Sequence, residues 1–162
     1  LPLPPIVPPW VLKLLAAGGI PLQPGVARLL RAAHGAGLRL AIATTTTPEN
    51  VAALLRASLG PESPDWFEVI GAGDVVPAKK PAPDIYLWVL ERLKLPAAAC
   101  LALEDSANGL KASLAAGIPT LVTESEYTRG QDFAGALAVL PDLAETTLAD
   151  VQASFNKTLS MT

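Results

Sequence analysis

The chain has 162 residues, 51% of them hydrophobic and 17% charged, with a formal net charge of −3 and one cysteine. That suffices for one α/β domain with a sizeable core and is too short for two comfortable ones. No block of basic residues marks a nucleic-acid surface, no apolar run reaches bilayer-spanning length, and a lone Cys100 excludes an intramolecular disulfide.

The opening LPLPPIVPPW holds prolines at 2, 4, 5, 8 and 9. It reads as an extended segment, unfit for a central strand because proline has no N–H to give to a ladder. No basic stretch precedes its apolar residues, so no signal peptide is read. Residues 10–17 read as one short helix ended by Gly18-Gly19, and IPLQPG as a connector. Residues 1–20 are therefore set apart as a leading segment, and residues 21–162 as one core domain. Val26, Leu29, Leu30 and Ala33 then recur at helical spacing, closing near Gly35 and Gly37. Residues 38–43 form a short aliphatic run suited to a strand buried on both faces. Thr47-Pro48-Glu49 reads as a helix start, with a hydroxyl cap, proline at the first helical position and an acid in the first turn. Val51, Leu54 and Leu55 would face inward. Residues 67–73 suggest a strand entering a glycine turn, and Ile85, Trp88, Val89 and Leu93 a helix. Cys100 opens a strand over residues 100–104 and reads as a buried, inert thiol, consistent with a cytoplasmic setting. Leu110 and Leu114 mark a helix stopped by Gly117. Thr120 to Thr123 read as a strand, residues 136–140 as a short one, and a tail helix starts near Leu143. Strands and helices alternating at this spacing predict βαβ units, hence an α/β fold with a doubly wound parallel sheet.

In such a sheet the carboxyl ends of the strands share one edge, where ligands sit. Three sets of residues fall there: Thr44 to Thr47, the proline-stiffened loop with Lys79 and Lys80, and Glu104-Asp105-Ser106. Hydroxyls and turn amides donate to phosphate oxygens, and a lysine offsets phosphoryl charge. Paired carboxylates without nearby histidine or cysteine are hard ligands that suit Mg²⁺. Together they predict a phosphoryl-transfer site.

LAIATTTTPENV, KKPAPDIY and ALEDSANGL resemble motifs II, III and IV of the haloacid dehalogenase superfamily, nearest to its β-phosphoglucomutase-like and CbbY-type phosphatases of sugar phosphates. The resemblance runs from about residue 21 to 140. It implies that the Thr44 hydroxyl meets the transferring phosphate, with Thr45 supplying a backbone amide. The lysine that precedes proline is Lys80. Glu104 and Asp105 are the implied Mg²⁺ residues, Asp105 the direct ligand, with Ser106 and Asn108 in support. Thr46 and Asn50 are implied contacts to a distal phosphate or sugar hydroxyl, and Arg129 of EYTRGQDF to a second phosphate. The implied substrate is a small phosphorylated sugar, a ketopentose bisphosphate by the CbbY-type likeness. The expected setting is cytoplasmic, or an organelle interior such as a plastid stroma, with no membrane or nucleic-acid partner expected and the oligomeric state open.

The family's catalysis resembles covalent attack by an aspartate of a D-x-D-G-T motif, through an aspartyl-phosphate. No D-x-D occurs in these 162 residues. Beside Asp105 of motif IV, Asp74 follows a strand at the correct edge, and it reads as a turn residue. In the family the motif I strand lies between those of motifs II and IV, so the expectation is a sheet lacking its first strand and a chain cut before its nucleophile, most of the helical cap absent and residues 10–17 its last helix. The alternatives are a catalytically inactive relative that binds a phosphorylated ligand or a partner chain, and a sugar phosphomutase.

Overall fold

Short aliphatic strands covered on both faces build the molecule. The computed structural model describes residues 10–12, 24–125 and 128–160. Six strands of the described residues form one sheet: β1 (Trp10–Leu12), β2 (Leu40–Ala43), β3 (Phe67–Gly71), β4 (Leu101–Glu104), β5 (Thr120–Thr123) and β6 (Ala138–Leu140). Their order is β3-β2-β1-β4-β5-β6, and every neighbouring pair is parallel. Among the described residues five α-helices connect and cover them: α1 (Val26–Gly35), α2 (Pro48–Leu59), α3 (Asp84–Leu93), α4 (Ala107–Ala115) and α5 (Leu148–Ser160). No helix among the described residues is long and apolar enough to cross a membrane.

The period-two alternation of a strand divides side-chain sizes between the faces. Leu40 and Ile42 of β2, with Leu101 and Leu103 of β4, pack under Leu29 and Leu30 of α1, Val51 and Leu55 of α2, and Val151 and Phe155 of α5. On the opposite face β2 and the start of β4 offer small residues, Ala41, Ala43, Cys100 and Ala102. Those small residues leave room for the large side chains of α3, Tyr86, Val89 and Leu93, to lie against the strands. Gly71 belongs to the same relief: a Cβ there would press on Val89, Ile85 and Trp88 of α3. Burial pushes the Cys100 thiol up to about 11, as an inert core cysteine requires.

The centre of the sheet departs from the sequence expectation. The sequence predicts a helix over residues 10–17 and an empty central position. Instead Trp10–Leu12 forms β1, paired with β2 on one side and β4 on the other, Val11 standing level with Ala41 and Ala102. The proline-rich residues 1–9 lie outside the described residues, and the three that follow carry N–H groups. A central position satisfies both edges of a strand at once, and that long-range pairing overrides a weak local helix preference. Residues 13–17 lie outside the described residues.

The other boundaries agree to within a few residues, with one exception. The tail helix starts at Leu148 rather than near Leu143, because Leu143 is tied to α1: its N–H donates to Pro24 O, and Arg28 donates to the carbonyls of Leu143 and Thr146. Residues 136–137 stay outside β6.

Candidate functional site

Every strand points its carboxyl end the same way, so the loops after β2, β3, β4 and β5 converge on one edge. The four threonines after β2 divide the work there. Thr44 is fully buried, its N–H donates to Gly71 O, and its Oγ1 accepts the amide of Thr46 at 3.2 Å. Thr45 is exposed and lines the cleft. Thr46 accepts the N–H of Gly73 on its carbonyl, tying the β2 loop to the β3 loop. Gly73 sits there at φ 65°, a left-handed position that suits glycine. Thr47 caps α2 by accepting the Asn50 amide at 3.3 Å.

The two lysines separate cleanly. Lys79 is exposed and pairs with Asp74 at 2.6 Å, and that bond and charge hold the Asp74 carboxyl below its usual range. Lys80 turns inward with only 5% of its side chain exposed. Its Nζ donates to Glu104 Oε1 at 2.7 Å and to the Ala43 carbonyl at 3.2 Å, which brings the ends of β2 and β4 to one charge.

Glu104 is the most constrained group of the site. Its Oε1 also accepts from the Tyr86 hydroxyl, and its Oε2 accepts the Asp105 amide at 3.3 Å. Burial first, then the charge and hydrogen bond of Glu104, push the Tyr86 phenol well above its usual range, so it stays a donor. Gly109, in the first turn of α4, makes space for the carboxylate: a Cβ at that position would overlap Glu104. Ser106 caps α4 by accepting the Gly109 amide at 3.1 Å. Asp105 is 5% exposed, beside this cluster.

Among the described residues, a cleft of about 360 Å³ at this edge is lined by Thr45, Lys80, Ser106, Ala107, Asn108 and Gln131. The structure therefore brings Thr45, Lys80, Ser106 and Asn108 together, with Glu104 and Asp105 adjacent. Thr44, Thr46, Asn50 and Arg129 fall outside that lining. Arg129 is exposed on the β5–β6 loop, and the residue of that loop that lines the cleft is Gln131. Sequence reasoning missed Tyr86, Gly109 and Gln131. A tyrosine hydroxyl on the apolar face of α3 and a glycine in the first turn of a helix are signals for the first two. Gln131 has none.

No cluster of three or more His, Cys, Asp or Glu side chains forms among the described residues. Mg²⁺ commonly takes one or two carboxylates and completes its shell with water and phosphate, which two adjacent carboxylates satisfy. Since Glu104 is engaged by Lys80, Tyr86 and a backbone amide, the donor set fits with Asp105 as the ligand.

The model of the haloacid dehalogenase-like hydrolases matches residues 10–117. The chain belongs to that family. Within this haloacid dehalogenase-like group, it is 56% identical over 131 residues to the plasmid CbbY protein of Cupriavidus necator, covering 81% of this chain and 52% of that one. To CbbY of Rhodobacter capsulatus it is 54% identical over 132 residues, 82% of this chain and 58% of the relative. The crystal structure of CbbY from Rhodobacter sphaeroides in complex with phosphate superposes with a TM-score of 0.77 at 48% identity, over 83% of this chain and 60% of that one. A variant of the same protein has been solved with xylulose-(1,5)bisphosphate, also at a TM-score of 0.77 and 48% identity, over 82% and 60% of the two chains. The chain thus spans between half and three-fifths of the length of these relatives.

Proposed function

We propose that this chain forms the phosphate- and metal-binding part of a Mg²⁺-dependent sugar-phosphate phosphatase. The observation that carries the reading is Lys80, almost wholly buried yet on the wall of an open polar cleft, held between Glu104 and the end of β2. A desolvated, fixed cation meets phosphoryl charge without reorganising, where a solvated surface lysine could not. Thr45 and the turn amides of its loop receive phosphate oxygens, and Asp105 holds Mg²⁺. When bound, the ion offsets negative charge on the phosphoryl oxygens. Glu104 holds Lys80 in place and stands behind Asp105. Thr44 shapes the loop from below. The substrate class is a phosphorylated ketopentose, a reading supported by the bisphosphate complex of the similar CbbY.

The attacking carboxylate is a separate matter. After β1 the sequence continues Lys13-Leu14-Leu15, with no D-x-D anywhere in the chain. The activity expected of these residues by themselves is therefore binding, with hydrolysis requiring an aspartate that they do not supply. That gap favours, as a second reading, a relative that binds a phosphorylated ligand without turning it over.

Calorimetric titration with inorganic phosphate, with and without Mg²⁺, tests the proposal. Binding should tighten at least tenfold with Mg²⁺, and Asp105→Asn, an isosteric change, should remove that dependence. Phosphate binding indifferent to Mg²⁺, or an Asp105→Asn variant that keeps the full Mg²⁺ effect, would overturn the metal assignment.

A further inference from the structure

We propose that Gln131 is a ligand-contact residue of this cleft, its side-chain NH₂ donating to an oxygen of the sugar phosphate beyond the phosphoryl group held at Lys80. The inference rests on reading the cleft as a phosphate site. Gln131 Oε1 accepts the backbone N–H of Ala107 at 2.8 Å. An N–H can be accepted only by the oxygen of an amide, so that contact fixes which end of the side chain faces the helix. The other end is NH₂, a pure donor, on a residue that lines the cleft with Thr45, Lys80, Ser106 and Asn108. Donors suit phosphate and hydroxyl oxygens, and two hydrogens suit a ligand that presents several.

The supporting loop is built to hold that amide still. Thr128, buried at 9% exposure, accepts the Ser125 amide on its hydroxyl at 2.8 Å. The amides of Thr128 and Arg129 both return to Ser125 O, and the Gln131 amide returns to Thr128 O at 3.0 Å. Thr128, Arg129 and Gln131 are thus tied back to Ser125 and Thr128, and the Gln131 side chain is held again on α4. A contact group fixed before binding loses little entropy when the ligand arrives. Both Gln131 and Arg129 are exposed; what separates them is that Gln131 lines the cleft, whereas Arg129, which by charge alone would be chosen for a second phosphate, does not.

The test uses the full chain with Mg²⁺, probed with inorganic phosphate and with a pentulose 1,5-bisphosphate. Gln131→Glu keeps an oxygen for Ala107 and replaces the donor by an acceptor; Gln131→Met keeps the length and removes both. Gln131→Glu should melt like the parent chain yet bind the bisphosphate at least fivefold more weakly, with a smaller loss for inorganic phosphate. In the parent chain, the side-chain NH₂ resonance of Gln131, assigned by its disappearance in Gln131→Glu, should move when the bisphosphate is added. If Gln131→Glu binds like the parent while Gln131→Met binds weakly, Gln131 is only a helix cap and the proposal is overturned. An NH₂ resonance that stays put overturns it too, and in both cases the phosphate site stands. If the parent chain binds neither probe, the phosphate site itself fails and takes Gln131 with it.

Discussion

A single carboxylate shows how this site is assembled at the scale of residues. Glu104 is 1% exposed, and burying an ionised carboxylate is tolerable only when its oxygens are answered. Lys80, Tyr86 and the Asp105 amide do this, and the missing Cβ of Gly109 provides the space. Gly109→Ala should therefore displace the carboxylate, costing about 1–3 kcal/mol, the usual penalty of overpacking. It should also weaken Mg²⁺-dependent phosphate binding, since Lys80 is held by the displaced group. Urea melts and phosphate titrations on the same variant would check both; an unchanged pair of values would mean that Glu104 is not seated against residue 109. Tyr86 contributes to this cluster twice: through its hydroxyl, kept protonated by burial and by the neighbouring charge, and through its ring, whose centroid lies 4.8 Å from Lys80 Nζ.

At the scale of elements, α2 illustrates how a cap and a packed face differ in weight. Thr47 accepts one amide at the surface, whereas Leu55 lies fully buried under β2. Thr47→Ala should cost about 1 kcal/mol, typical of a lost helix cap. Leu55→Ala should cost about 2–5 kcal/mol through lost burial and a residual cavity. Chemical denaturation of the two variants checks the ranking, and a cap loss equal to the core loss would contradict the assigned burial. The ties between loops matter equally at this level. Thr44 to Gly71, Gly73 to Thr46 and Lys80 to Ala43 fasten the β3 side of the edge to the β2 end. The site's geometry is therefore a property of the sheet rather than of any one loop.

The whole molecule depends on its middle strand. β1 is three residues long, yet it is the bond between the β2–β3 half and the β4–β5–β6 half of the sheet. Leaving that position empty would strand backbone donors and acceptors on both neighbours, at about 1–3 kcal/mol for each buried group, against a net stability of about 5–15 kcal/mol for a domain. Val11→Pro should consequently abolish cooperative thermal unfolding, since proline removes an N–H in mid-sheet. A variant that melts like the parent would show that the two halves do not need this strand. At the other end of the chain, Arg28 and the Pro24 carbonyl fix Leu143 and so place α5 over the larger-residue face.

The sequence by itself determined the fold class, the order of elements from Val26 onward and the edge on which the site lies. Those follow from local periodicity, and from chemistry-bearing residues falling at strand ends: threonines after β2, Lys80 after β3, Glu104 and Asp105 after β4. Tertiary structure alone decided what depended on distant partners. Trp10–Leu12 became a strand because β2 and β4 leave a position that three N–H-bearing residues can fill. Thr44 went inside while Thr45 stayed out, because the turn closes on Gly71. Tyr86, Gly109 and Gln131 acquired their roles from groups 18, 5 and 24 residues away in sequence. A three-residue segment or a lone side chain carries no period, so only the packed neighbour reveals what it does.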